Sequence, residues 1–230
     1  AEAELAQGNT DAALTLYLKA SQQSMNTEVS ERAAFLARQV GSDQQIEEAL
    51  ERWSLVDPKS RGALEASLIF AAEKGRLEIL ETSLTRLLTL EPEYRAHWFA
   101  SFWAGLPVDQ QNDFLNVLTR VANQFNNGSL VMVVSEAKNR MDAQSGTDWL
   151  DLWLAANEPS ANVVLFRARL ALPDRQAAIQ FVEQFPDVAS NLNIRAQLAR
   201  WHSLEGNDEQ ALTLLSGVID DDPSRYQDLL

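Results

Sequence analysis

Glycine and proline keep regular time along this chain of 230 residues. Gly8, Gly41 and Gly75 stand 33 and 34 residues apart, and Gly206 closes the series 131 residues later. Pro58, Pro92 and Pro223 each follow one of these glycines by 17 residues. Nearly the same phrase surrounds the first and last glycines: QGNTDAALTLY at Gln7 to Tyr17 and EGNDEQALTLL at Glu205 to Leu215. Five residues after the glycines stand Ala13, Ile46, Leu80 and Ala211; nine after, Tyr17, Leu50, Leu84 and Leu215; twelve after, Ala20, Trp53, Leu87 and Val218. These offsets step by four and three, which places the residues on one face of a helix. Seven residues before the glycines, Ala34, Leu68 and Ala199 are small or apolar, where a second helix must approach closely.

Ala, Leu, Glu and Gln dominate the composition, and all four lose little rotamer freedom in a helix. The chain therefore reads as all-α. A period in the mid-thirties built of helix, short Gly turn, helix and Pro stop resembles the tetratricopeptide repeat. Copies lacking the glycine keep the register: Phe114, Leu118 and Val121 fall in the packing slots, with Trp98, Phe102 and Gly105 on the preceding helix. The next copy slips by one residue through DAQSG and puts Trp149, Trp153 and Ala156 in the face, ending at Pro159. A shortened copy follows, with Val163 to Leu172 as one helix and Pro173-Asp174 opening another.

The expected units are 1–26 (partial), 27–60, 61–94, 95–128, 129–159, 160–187 and 188–223, with 224–230 opening a further helix. Each pair buries its apolar face only against its neighbours. The expected fold is thus a single right-handed superhelical solenoid of about seven helix-turn-helix units. FNNGS, Phe125 to Ser129, reads as a helix C-cap and turn.

With 33 acidic against 19 basic residues the net charge is −14, which repels a nucleic-acid backbone or an anionic membrane surface. No run approaches the roughly 20 apolar residues a membrane span needs, so no insertion by these residues is expected. The absence of cysteine removes disulfides and thiolate chemistry and fits the cytosol or an oxidising compartment alike. The opening AEAELAQG reads as the second half of a helix that begins earlier.

No constellation announces catalysis. His97 and His202 have no acid or nucleophile partner at a readable spacing, and His202 reads as packed between helices. The run Asp220-Asp221-Asp222-Pro223 lacks the turn glycine and distal Glu of a calcium loop and reads as a solvated helix end. A non-enzymatic chain with no cofactor and no metal site is expected, and its function rests on surface.

In tetratricopeptide stacks the first helix of each pair lines a concave groove. Register carries that role to Glu31, Phe35 and Arg38, to Glu65 and Ile69, to Phe99 and Trp103, to Val133 and Arg140, and to Arg200. Such a strip suits apolar peptide anchors ringed by polar contacts. The stacks that clamp a chaperone's C-terminal carboxylate use Lys and Asn in slots held here by Phe35, Ile69 and Trp103, so that mode is disfavoured. In HWFASFW, His97 to Trp103, the packing slots fall to Trp98 and Phe102, which leaves Phe99 and Trp103 as the candidate exposed pair. Trp149, Trp153, Trp53 and Trp201 are assigned to packing.

The first three copies carry a narrower resemblance. AEAELAQGNTDAALTLYLKASQ, VSERAAFLARQVGSDQQIEEALERW, the VDP stop and EKGRLEILETSLTRLL look like the opening repeats of bacterial tetratricopeptide lipoproteins that serve as protease adaptors. The resemblance covers about the first 95 residues, chiefly through SERA at Ser30 to Ala33 and the helix end from Trp53 to Pro58. It implies a periplasmic protein anchored to the outer membrane by an N-terminal lipid outside these residues. It further implies binding of a C-terminal processing serine protease and of cell-wall hydrolases brought to it. Two other readings stay open: a helical region of a peptidoglycan-cleaving enzyme, and a repeat component of exopolysaccharide secretion. Self-association through Leu5, Ala6 and Leu14 of the first pair is a further expectation.

Overall fold

The computed structural model describes the backbone of residues 1–221 and the side chains of these residues except 188, 189 and 217–221. The Val218 side chain of the expected packing slot lies outside the described side chains, and the end of the acidic run at Asp222-Pro223 and the helix at 224–230 lie outside the described residues. Regular structure among the described residues is helical, and consecutive helices pack in pairs.

The chain forms two compact units: Ala1–Tyr94 with Gly105–Val121, and Arg95–Ala104 with the chain from Ala122 onward. The first unit contains α1 (Glu2–Ala6), α2 (Thr10–Gln23), α3 (Thr27–Val40), α4 (Asp43–Val56), α5 (Arg61–Lys74), α6 (Leu77–Leu90) and most of α8 (Val108–Gln124). Here α2 packs on α3, α3 on α4, α4 on α5 and α5 on α6. Ala13, Ile46 and Leu80 are buried, as are Tyr17, Leu50, Leu84, Trp53 and Leu87 one and two turns on, so the glycine register marks the buried face of α4 and α6; on α2 its last slot fails, because Ala20 is exposed.

Three of the periodic glycines do the same work. Gly8, Gly75 and Gly206 have φ of 80°, 64° and 79°, the left-handed region open to glycine. In each case the following residue donates its N–H five residues back: Asn9 to Glu4 O, Arg76 to Ala71 O and Asn207 to His202 O, at 2.8–2.9 Å. This is the Schellman closure of a helix end. Gly41 differs, with φ −81° and extended backbone. Its turn is instead set by a capping box, in which Ser42 and Gln45 satisfy each other's backbone N–H groups at the start of α4. The prolines act through their predecessors, because Asp57 before Pro58 and Glu91 before Pro92 hold nearly the same φ,ψ (−130°, 85° and −130°, 82°).

The second unit contains α7 (Trp98–Gly105) except its last residue, α9 (Gly128–Met141), α10 (Ser145–Ala156), α11 (Ala161–Leu170), α12 (Arg175–Glu183), α13 (Pro186–Ala189), α14 (Leu192–Leu204) and α15 (Asp208–Asp221). α9 pairs with α10, α11 with α12 and α14 with α15. The slip through DAQSG is a close approach. Ser135 Oγ donates to Gly146 O, Thr147 N donates to Asn139 Oδ1, and Ser145 Oγ donates to Lys138 O, at 3.0–3.1 Å. FNNGS is a turn, but its glycine caps nothing: Asn127 begins α9 by accepting the Leu130 N–H, and a Cβ on Gly128 would lie 2.9 Å from Ser160 and Val163. Asp174 likewise caps α12 by accepting the Ala177 N–H.

Candidate protein-binding surface

In the first unit, α3 turns Glu31, Phe35 and Arg38 to one side, because steps of four and three follow one helix face. They line a recess of about 190 Å³ whose other walls are Ala34, Leu50 and Trp53 together with Gly62 and Ala66 of α5. Phe35 is 55% exposed, an unusual position for so large an apolar ring. Glu31 and Arg38 are exposed and engage no protein partner, so both charges are free to meet a ligand. Gly62 shapes the far wall, since a Cβ there would stand 3.1 Å from the Trp53 ring.

Glu65 and Ile69 follow on α5, both half-buried and outside this recess. Glu65 is engaged by Arg61, which also reaches Glu91 and lies over the Tyr94 ring. These two carboxylates raise the Arg61 pKa, Glu65 most strongly. That network ties α5 to the end of α6 and leaves Glu65 little freedom.

The second unit holds the other five candidates. Arg200 and Arg140 are exposed, with Arg140 paired to Glu136 at 2.6 Å. Val133 is buried at 4% exposure and presents nothing to a groove. The expected exposure of Phe99 and Trp103 is overturned: they are 0% and 4% exposed, whereas Trp98 and Phe102 are half-buried. The Phe35–Ile69–Phe99–Trp103 strip is therefore not an exposed feature. The cause is local. Residues 91–97 are not α-helical, the Ala96 N–H donates to Ser129 Oγ at 2.9 Å, and α7 starts only at Trp98. Ala96, Phe99 and Trp103 consequently face inward at steps of three and four.

No protein-family model matches the chain, and no curated protein matches it.

Among the described residues no three His, Asp or Glu side chains come together where they could hold a metal ion. No helix among them is long and apolar enough to cross a membrane. His202 is buried at 5% exposure on α14, and His97 is exposed. Trp53, assigned to packing by its register, also walls the Phe35 recess. The available signal was Gly62, the residue that makes room for the ring one helix later.

Proposed function

We propose that the chain is a non-enzymatic protein-binding scaffold of tetratricopeptide type, a right-handed superhelical solenoid that presents helix faces to a partner. Consecutive helix pairing and the shared closures at Gly8, Gly75 and Gly206 support that architecture. The observation that carries the binding role is Phe35, more than half exposed beside unpartnered Glu31 and Arg38 over an apolar recess. An aromatic anchor flanked by charges of both signs is the composition of an interface hot spot.

The resemblance of the first three repeats makes the partner a C-terminal processing protease, its cell-wall hydrolase substrates, or both, in the periplasm. A lipid outside these residues would supply the anchor to the outer membrane. The test is site-specific crosslinking in cells with p-benzoylphenylalanine at position 35. A discrete adduct containing the protease or a hydrolase is expected. No adduct at 35, with one formed from position 212, where Leu212 is also exposed, would move the binding surface away from α3.

A further inference from the structure

A second and larger cavity, about 380 Å³, opens between α4 and α6 beside α5. It shares only Leu50 with the Phe35 recess. Part of its lining is apolar, from Leu50, Phe70 and Ile79. Two serines set it apart. Ser67 and Ser83 are 5% and 6% exposed, both line the cavity, and neither hydroxyl has a protein partner. A helical hydroxyl ordinarily returns to a carbonyl one turn back, as Thr89 does to Thr85 O and Thr119 to Leu115 O. Ser67 and Ser83 do not, and unlike the Ser30 hydroxyl they are not sealed from the cavity.

The charge of the lining points to the ligand. Glu51 and Glu78 are exposed and unpaired, and Glu47 meets only Arg76, at 3.8 Å, beyond hydrogen-bond reach. Against these three carboxylates stands Arg86, which donates to Pro58 O at 2.9 Å. An apolar wall, two open hydroxyl acceptors and an excess of carboxylate match a long aliphatic stem that ends in a cation.

We propose that this cavity receives a lysine or arginine side chain from a protein partner. The stem lies on Leu50, Phe70 and Ile79, and the cationic head donates to the Ser67 and Ser83 hydroxyls and to Glu51 and Glu78. This site stands whether or not the Phe35 recess binds anything.

The probes are decapeptides of glycine and serine whose central residue is lysine, arginine or norleucine, titrated into the ¹⁵N-labelled chain. With the lysine and arginine peptides, saturable amide shifts are expected at Glu51, Ser67, Glu78 and Ser83, and with the norleucine peptide none. The pair Glu51→Gln with Glu78→Gln weakens the response about tenfold by removing both charged acceptors. The control pair Glu93→Gln with Asp109→Asn, which removes equal charge elsewhere, changes it less than about twofold. Phe35→Ala leaves it unchanged, which separates this site from the Phe35 reading. Shifts scattered over the acidic surface, an equal response to norleucine or to free spermidine, or no difference between the two variant pairs would overturn the proposal.

Discussion

Ser30 is fully buried on α3, and its hydroxyl finds no partner. Such a group sacrifices its water hydrogen bonds without replacement, while alanine is the better helix former at the same position. Ser30→Ala is therefore expected to stabilise the chain by about 1 kcal/mol, read as a higher denaturant midpoint at unchanged slope. A loss of similar size would show that the hydroxyl is satisfied in solution. Gly146 carries the opposite expectation. Helix propensity favours alanine there by about 1 kcal/mol, but a Cβ would sit 2.0 Å from Ser135 O and 2.7 Å from Asn139 Oδ1. Backbone cannot yield as a side-chain tip does, so the clash outweighs propensity, and Gly146→Ala is expected to cost about 2 kcal/mol or more in thermal or denaturant melts. The same residue explains the one-residue slip in the sequence, which showed as a break in spacing without revealing that two helices touch there. Phe99 and Trp103 mark the limit of pattern reading. The rings at 98, 99, 102 and 103 form one wide apolar stripe, and its period does not say which edge turns inward. The Ala96–Ser129 hydrogen bond, 33 residues apart in sequence, accompanies the choice, and nothing local encodes it.

Helices were the most legible level. The glycine offsets give the buried faces of α4 and α6 and, at Ala13 and Tyr17, of α2, and the N-caps Asn26, Ser42, Ser60, Asn127, Asp174 and Asn191 are of the residue types that favour that position. Less legible were contacts between elements that depend on side-chain reach. Trp149, assigned to packing, is half-buried on α10 with the Lys138 ammonium 6.0 Å from its ring. Arg120 of α8 grips Glu81 of α6 through both oxygens, at 3.1 and 2.5 Å, across 39 residues. The guanidinium holds the Glu81 carboxyl below its ordinary 4.5. Because the unfolded chain then binds the proton more readily, the pair stabilises the fold above pH 4.5, and that contribution is lost as pH falls through the lowered value. Both side chains are partly solvated, so the effect is small. Thermal melts should find Glu81→Gln slightly less stable than the parent at neutral pH and equal to it in acid. A difference that persists unchanged in acid would assign Glu81 a packing role instead.

Taken whole, the chain pairs a net charge of −14 with an aromatic recess at Phe35 and an acidic one between α4 and α6, both in its first unit. The charge sets the polarity of acceptable partners, disfavouring nucleic acid and favouring surfaces that carry Lys or Arg. Whether α3 presents a partner-binding surface is read from calorimetric titration of the chain with a C-terminal processing protease from the same organism, in parallel with Phe35→Ala. Burying the exposed part of a phenylalanine ring is worth roughly 1–2 kcal/mol, so the variant should bind about tenfold more weakly, with its own melting temperature unchanged. Identical affinity for parent and variant would contradict a binding surface on α3, and failure to form a complex would remove the protease as the partner.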